Sequence, residues 1–107
     1  MVVYRRYAVE SLAANEEKEI VALTPKSGER IVLRKLNFSS TGDLELKIWH
    51  ETDLRYVITS TLKESIDHGI DVDISAEPGE TIKIVAEDKS GAANTITLVY
   101  EYERTTA

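Results

Sequence analysis

The chain has 107 residues, enough for one domain that buries roughly two-thirds of the surface its unfolded form exposes. Its 42% hydrophobic content excludes a disordered chain, the lack of cysteine excludes disulfides, thiolate metal sites and a cysteine nucleophile, and its apolar runs fall far short of the roughly 20 residues a membrane-crossing helix needs. Thirteen Lys and Arg against nineteen Asp and Glu leave a net charge of −6, which repels a polyphosphate backbone and argues against nucleic acid as a partner.

Val2 to Val9 has strand composition, whereas residues 10–19 are polar, lack apolar alternation and read as a loop or helical turn. The expected organisation is an N-terminal strand or arm with a polar joint over 1–16, followed by a β domain over 17–107. Glu17 to Leu23 opens that domain and is stopped by Thr24-Pro25-Lys26-Ser27-Gly28, where proline presets φ and glycine permits positive φ. Glu29 to Ser39 carries Ile31 and Leu33 in one phase but Leu36 and Phe38 in the other, which predicts a β-bulge near Arg34 and Lys35 or burial of both faces. Leu44, Leu46 and Ile48 then alternate with Glu45, Lys47 and Trp49.

Leu54 to Leu62 is rich in β-branched residues, and Ile70, Val72 and Ile74 alternate with Asp71, Asp73 and Ser75. Glu77-Pro78-Gly79-Glu80 predicts a tight turn into Ile82, Ile84 and Ala86. After a turn at Asp88-Lys89-Ser90-Gly91, the last inward set is Ile96, Leu98, Tyr100 and Tyr102. Short alternating runs at this spacing predict an all-β fold, a two-sheet antiparallel sandwich of about eight strands, jelly-roll-like.

No catalytic constellation stands out. His50 and His68 fall in or beside predicted turns, and no serine lies in a nucleophile motif, so the chain reads as non-enzymatic and without a cofactor. Asp71 and Asp73 share a strand face, with Asp67 and His68 just before them, but their spacing is not that of a calcium loop; a solvated acidic face blunting an edge strand explains them, and no metal is expected. Trp49 breaks the polar side of its strand beside His50 and near Tyr56. It is read as turning inward to close one end of the core, as an interface anchor, or as half of a sugar-stacking platform with Tyr56. Tyr4-Arg5-Arg6-Tyr7 interleaves aromatic and basic groups in a way that suits an acidic protein surface, or is an ordinary first strand with exposed arginines.

Three stretches carry a resemblance: Gly28-Glu29-Arg30-Ile31-Val32-Leu33, Pro78-Gly79-Glu80-Thr81-Ile82, and the threonine-rich closing run from Thr95 to Tyr102. With them, the segment from Ile20 to Glu103 resembles the small β-sandwich structural proteins of tailed bacteriophages and prophages. The resemblance implies a virion component, a capsid decoration (cement) protein or a tail accessory protein, made in the host cytoplasm and bound to capsid or tail subunits. It further implies a homo-oligomer, a trimer first, with an N-terminal arm on the capsid. Tyr4, Arg5, Arg6, Tyr7, Trp49 and Tyr56 are the interface residues expected on this reading. The alternative function is a carbohydrate-binding module using Trp49 and Tyr56, and the alternative location is the cytoplasm.

Overall fold

The computed structural model describes residues 2–59 and 70–106. Eight strands occupy them: β1 (Val2–Leu12), β2 (Glu17–Leu23), β3 (Glu29–Ser40), β4 (Leu44–His50), β5 (Asp53–Thr59), β6 (Ile70–Ala76), β7 (Ile82–Asp88) and β8 (Asn94–Thr106). They form two four-stranded sheets, ordered β1-β8-β3-β6 and β2-β7-β4-β5, with every pair antiparallel. The protein is therefore an all-β, two-sheet antiparallel sandwich. β1 pairs with β8, β2 with β7, β3 with β6 and β4 with β5, so the chain runs as one long hairpin that doubles back at the β4–β5 turn. The hairpin is then rolled until β8 also meets β3 and β7 meets β4.

The core follows from strand periodicity, because alternate residues share a face. Leu44, Leu46 and Ile48 of β4 lie opposite Asp88, Ala86 and Ile84 of β7, and nearly all of these point between the sheets with no exposed surface. Leu33, Leu36 and Phe38 of β3, Val72 and Ile74 of β6, and Ile96 and Leu98 of β8 supply the other layer. Full burial of each large aliphatic side chain contributes about 1.5–3 kcal/mol, and in a chain without disulfides these contacts and the ladders hold the fold.

The phase change in β3 is a bulge. Register with both neighbours slips between Leu33 and Lys35, leaving Arg34 as the extra residue, so Leu36 and Phe38 return to the core. The bulged Arg34 reaches across both flanking strands, to Asp73 at 3.3 Å and Glu103 at 3.2 Å. The turn expected at Pro78 is also present: Glu80 N–H donates to the Glu77 carbonyl, and Gly79 takes a φ of 87° that a side chain would strain.

Two expectations need correction. Residues 10–19 are mostly strand: Glu10, Ser11 and Leu12 complete β1, Glu17 begins β2, and only 13–16 turn, with Asn15 in the left-handed region at φ 62°. Their polar composition reflects two adjoining sheet edges. There Lys18 of β2 meets Glu10 of β1 at 3.1 Å, and only Leu12 is fully buried. The first strand is also no detached arm in the structure of the single chain, since all eleven of its residues pair with β8, from Val2 opposite Arg104 to Leu12 opposite Asn94. The predicted run over Leu54 to Leu62 is strand as far as Thr59; Ser60, Thr61 and Leu62 lie outside the described residues.

One end of the sandwich is tied by a buried polar knot. Asp88 and Asn94 are 1% and 2% exposed. Asp88 Oδ2 accepts from the N–H groups of Asn15 (2.8 Å) and Gly91 (3.0 Å), while Oδ1 accepts from Ser90 N–H (3.1 Å), Ser90 Oγ (2.6 Å) and Asn94 Nδ2 (2.9 Å). Asn94 Nδ2 also donates to the Asp43 carbonyl at 3.0 Å, and its Oδ1 accepts from Gly42 N–H at 3.1 Å and Thr41 Oγ1 at 3.3 Å. Two side chains thereby fasten the β1–β2, β3–β4 and β7–β8 connections together. Gly42 is required there by space, since a Cβ on it would lie 2.9 Å from Ser90 Cβ.

Candidate interaction surfaces

β1 is the outermost strand of its sheet, and its alternation divides the Tyr4-Arg5-Arg6-Tyr7 cluster between two faces. Tyr4 faces inward and stacks on Tyr102, ring centroids 5.2 Å apart, and Tyr102 stacks in turn near Tyr100 at 6.0 Å. The Arg6 and Arg104 guanidinium groups each lie 5.4 Å from the Tyr4 ring centre, within cation–π range. Burial raises the Tyr100 hydroxyl above its ordinary pKa, and neighbouring Tyr102 adds to the shift. Tyr4 and Arg6 thus brace the edge of the sandwich.

Arg5 and Tyr7 face outward with Val3 and Val9. Tyr7 is 76% exposed, Val9 55% and Val3 51%, an apolar row along the outside of an edge strand. Strand composition marks these residues only as β-formers; their significance comes from β1 being an edge, which sequence does not show. Beside the row, Arg5, Lys35, Asn37, Val99 and Glu101 line a shallow depression of about 190 Å³ where the β3 bulge bends the sheet.

Trp49 stays outside the sandwich. Alternation along β4 is unbroken against β7, so Trp49 pairs with exposed Lys83, while His50 is the residue that turns inward, opposite buried Ile82. The expectation that Trp49 closes the core is corrected accordingly. His50 Nε2 lies 3.3 Å from Glu80 Oε1 but out of line for a straight hydrogen bond. The Glu77 N–H, donating to Glu80, holds that carboxyl below its usual range, and His50 adds to the effect. Across β5, Trp49 sits opposite Leu54, which with Val57 is half exposed.

Tyr56 is on the other face. It pairs with inward Ile48, packs against the core, and its hydroxyl accepts the Asp73 N–H of β6 at 3.2 Å, bridging the two sheets at their open side. The register therefore separates Trp49 from Tyr56, and they form no common stacking platform.

Several other charged groups are engaged with one another. Asp73 pairs with Arg34, and Asp71 lies 3.9 Å from Lys35, on the solvated outside of β6. Asp67 and His68 lie outside the described residues. Lys47, unremarkable in the sequence, is ringed on the outer face of its sheet by Glu17, Glu45 and Glu87 at 3.4–3.6 Å. Burial works against its charge, but Glu17 and Glu87 outweigh it and the ammonium pKa is raised. Glu87 shifts the opposite way, lowered first by Lys89 and then by Lys47. Comparison with known protein families and with curated proteins finds no match.

Proposed function

We propose that this is a non-enzymatic structural protein that binds other protein subunits, and that its setting is the virion of a tailed bacteriophage, as a decoration protein of the capsid. The observation that carries the reading is the exposed edge of β1, eleven residues of unbroken ladder on one side and open backbone on the other, with an apolar row of Val3, Tyr7 and Val9 beside it. An edge of that kind offers main-chain hydrogen bonds for affinity and alternate side chains for specificity. The rolled-hairpin strand order, β1-β8-β3-β6 facing β2-β7-β4-β5, supports a jelly-roll-like reading of the sandwich, an architecture that viral shell proteins use. The groups best suited to chemistry do structural work instead: Asp88 fastens three connections, and Lys47 sits in a carboxylate ring.

The test is composition of particles. Virions purified from the host that encodes the chain should contain it in amounts comparable to the shell subunit, by quantitative mass spectrometry, and lose heat resistance when its gene is deleted. Particles that lack the chain would refute the proposal. The carbohydrate reading depended on Trp49 acting with Tyr56, and the opposite facing of the two rings removes its support. Titrating the sole tryptophan's fluorescence with a panel of sugars should give no change, and a saturable shift would restore that reading.

A further inference from the structure

Among the described residues, three of the four sheet edges are blunted. On β6, the Asp73 N–H is taken by the Tyr56 hydroxyl. β2 is broken by a register shift between Glu19 and Val21, and the pairing of β5 shifts opposite Ile48 and Trp49. Bulges and short lengths of this kind keep edges from pairing with other chains. β1 has neither: its ladder runs unshifted through eleven residues, and its outward side chains include Tyr7 and Val9, the two most exposed large apolar groups among the described residues.

We infer that the strand which completes this edge is β1 of a second copy of the chain, laid antiparallel about a twofold axis at Ala8, so that the two β1-β8-β3-β6 sheets become one. The inference names the partner of the surface on which the proposed function rests. A twofold contact places the same patch on both subunits, so β1 must be complementary to itself. Residues directly opposite each other share a face, which restricts the axis to one residue at a time.

An axis at Arg5 or at Arg6 opposes that arginine to itself, and an axis at Glu10 opposes two carboxylates. An axis at Tyr7 sets Arg6 against Ala8 and Arg5 against Val9, and an axis at Val9 sets Arg6 against Leu12; neither compensates a charge. The axis at Ala8 sets Arg6 against Glu10 of the other copy, twice by symmetry, and on the outer face sets Tyr7 against Val9, also twice. An ion pair and an aromatic with a β-branched residue are favourable cross-strand combinations; here the ion pair lies on the inner side of the edge and the Tyr7–Val9 pair on the outer face, where it covers exposed apolar surface. The smallest side chain of the strand occupies the axis itself. Glu10 is already 3.1 Å from Lys18 of its own β2, on the side of the strand where the incoming Arg6 would lie, so the carboxylate would join two cations.

The experiment uses the full chain, which has no cysteine. Sedimentation equilibrium of the wild type should give a dimer, and Arg6→Glu, which opposes glutamates across the axis, should weaken it at least tenfold while leaving a cooperative melt. Ala8→Cys should oxidise to a covalent dimer with oxidised glutathione as electron acceptor, because directly opposed Cα atoms about 4.5–5.5 Å apart lie within disulfide reach. Tyr7→Cys, offset from its own copy, and Thr97→Cys on neighbouring β8 should crosslink far more slowly. A wild type that is trimeric, or monomeric up to about 1 mM, overturns the inference. So does Tyr7→Cys or Thr97→Cys crosslinking as fast as Ala8→Cys. The virion test is separate: a dimer missing from particles refutes only the setting, and a monomer found in particles refutes only the dimer.

Discussion

Replacing Asn94 with alanine tests the claim that one end of the sandwich is held by a polar knot. The side chain is 2% exposed and makes hydrogen bonds to Asp88, Asp43, Gly42 and Thr41. Truncation strands the Gly42 N–H in particular, whereas the Asp43 carbonyl keeps the Lys89 N–H as a donor at 2.9 Å. That group costs about 1–3 kcal/mol when it loses its partner without access to water, and the lost amide bonds to Asp88 and Asp43 add to it, so a loss of about 2–4 kcal/mol is expected once partial rehydration is allowed for. For a domain of this size that lowers Tm by roughly 10–20 °C. Thermal melts at pH 7 followed by circular dichroism would measure it, with urea titration as a check that the m-value is unchanged. Asn94→Asp sharpens the test, because it brings a second carboxylate against Asp88. It should be at least as destabilising at pH 7 and regain ground on the wild type as pH falls and one of the pair takes a proton. An Asn94→Ala protein melting within about 2 °C of the wild type would show that the knot does not hold this end.

Two further outcomes follow from the same region. The Ser90 hydroxyl, the Asn15 N–H and the Asn94 amide hold the Asp88 carboxyl far below the usual carboxylate range, so folding lowers its pKa. Its contribution to stability is therefore complete above the unfolded value of about 4 and drains away as pH falls below it. Urea midpoints from pH 7 to pH 2 should fall on the acid side for the wild type and fall less steeply for Asp88→Asn; equal slopes would assign the acid sensitivity elsewhere. Gly42→Ala places a methyl 2.9 Å from Ser90 Cβ, and overpacking of this kind costs about 1–3 kcal/mol, read as a lower urea midpoint. An unchanged midpoint would mean that the β3–β4 turn yields freely.

Elements with one dry and one wet face were legible in the sequence. β4, β6 and β7 alternate so regularly that Leu46, Ile74 and Ile84 could be placed inward from spacing alone, and the phase change between Leu33 and Leu36 pointed to a bulge near Arg34 and Lys35 or to burial of both faces, of which the structure has the bulge. Legibility failed where an element's surroundings, rather than its own side chains, decide its state. Glu10 to Leu12 carry too few apolar residues to announce a strand, and they are strand because β8 offers them a ladder. At the end of β4, size favoured an inward Trp49, but strand geometry cannot skip a residue without a bulge. The irregularity there lies in the pairing with β5, so His50 took the inner position. The separation of Trp49 from Tyr56 hung on that same register shift.

The edge that matters most for the proposed role is also the one most firmly held from behind. An N-terminal arm that orders only on docking would lose backbone freedom of about 1–2 kcal/mol for each residue fixed, which offsets much of what its new hydrogen bonds contribute. β1 does not carry that cost. Its eleven residues are already extended against β8, Tyr4 is clamped between Tyr102 and two arginines, and Leu12 is anchored next to Asn94 in the knot. A strand fixed in this way gives up reach in exchange for preorganisation. It is not free to thread into a neighbour, so a binding partner must approach the side of the sandwich and lie along it, as the proposed second β1 would.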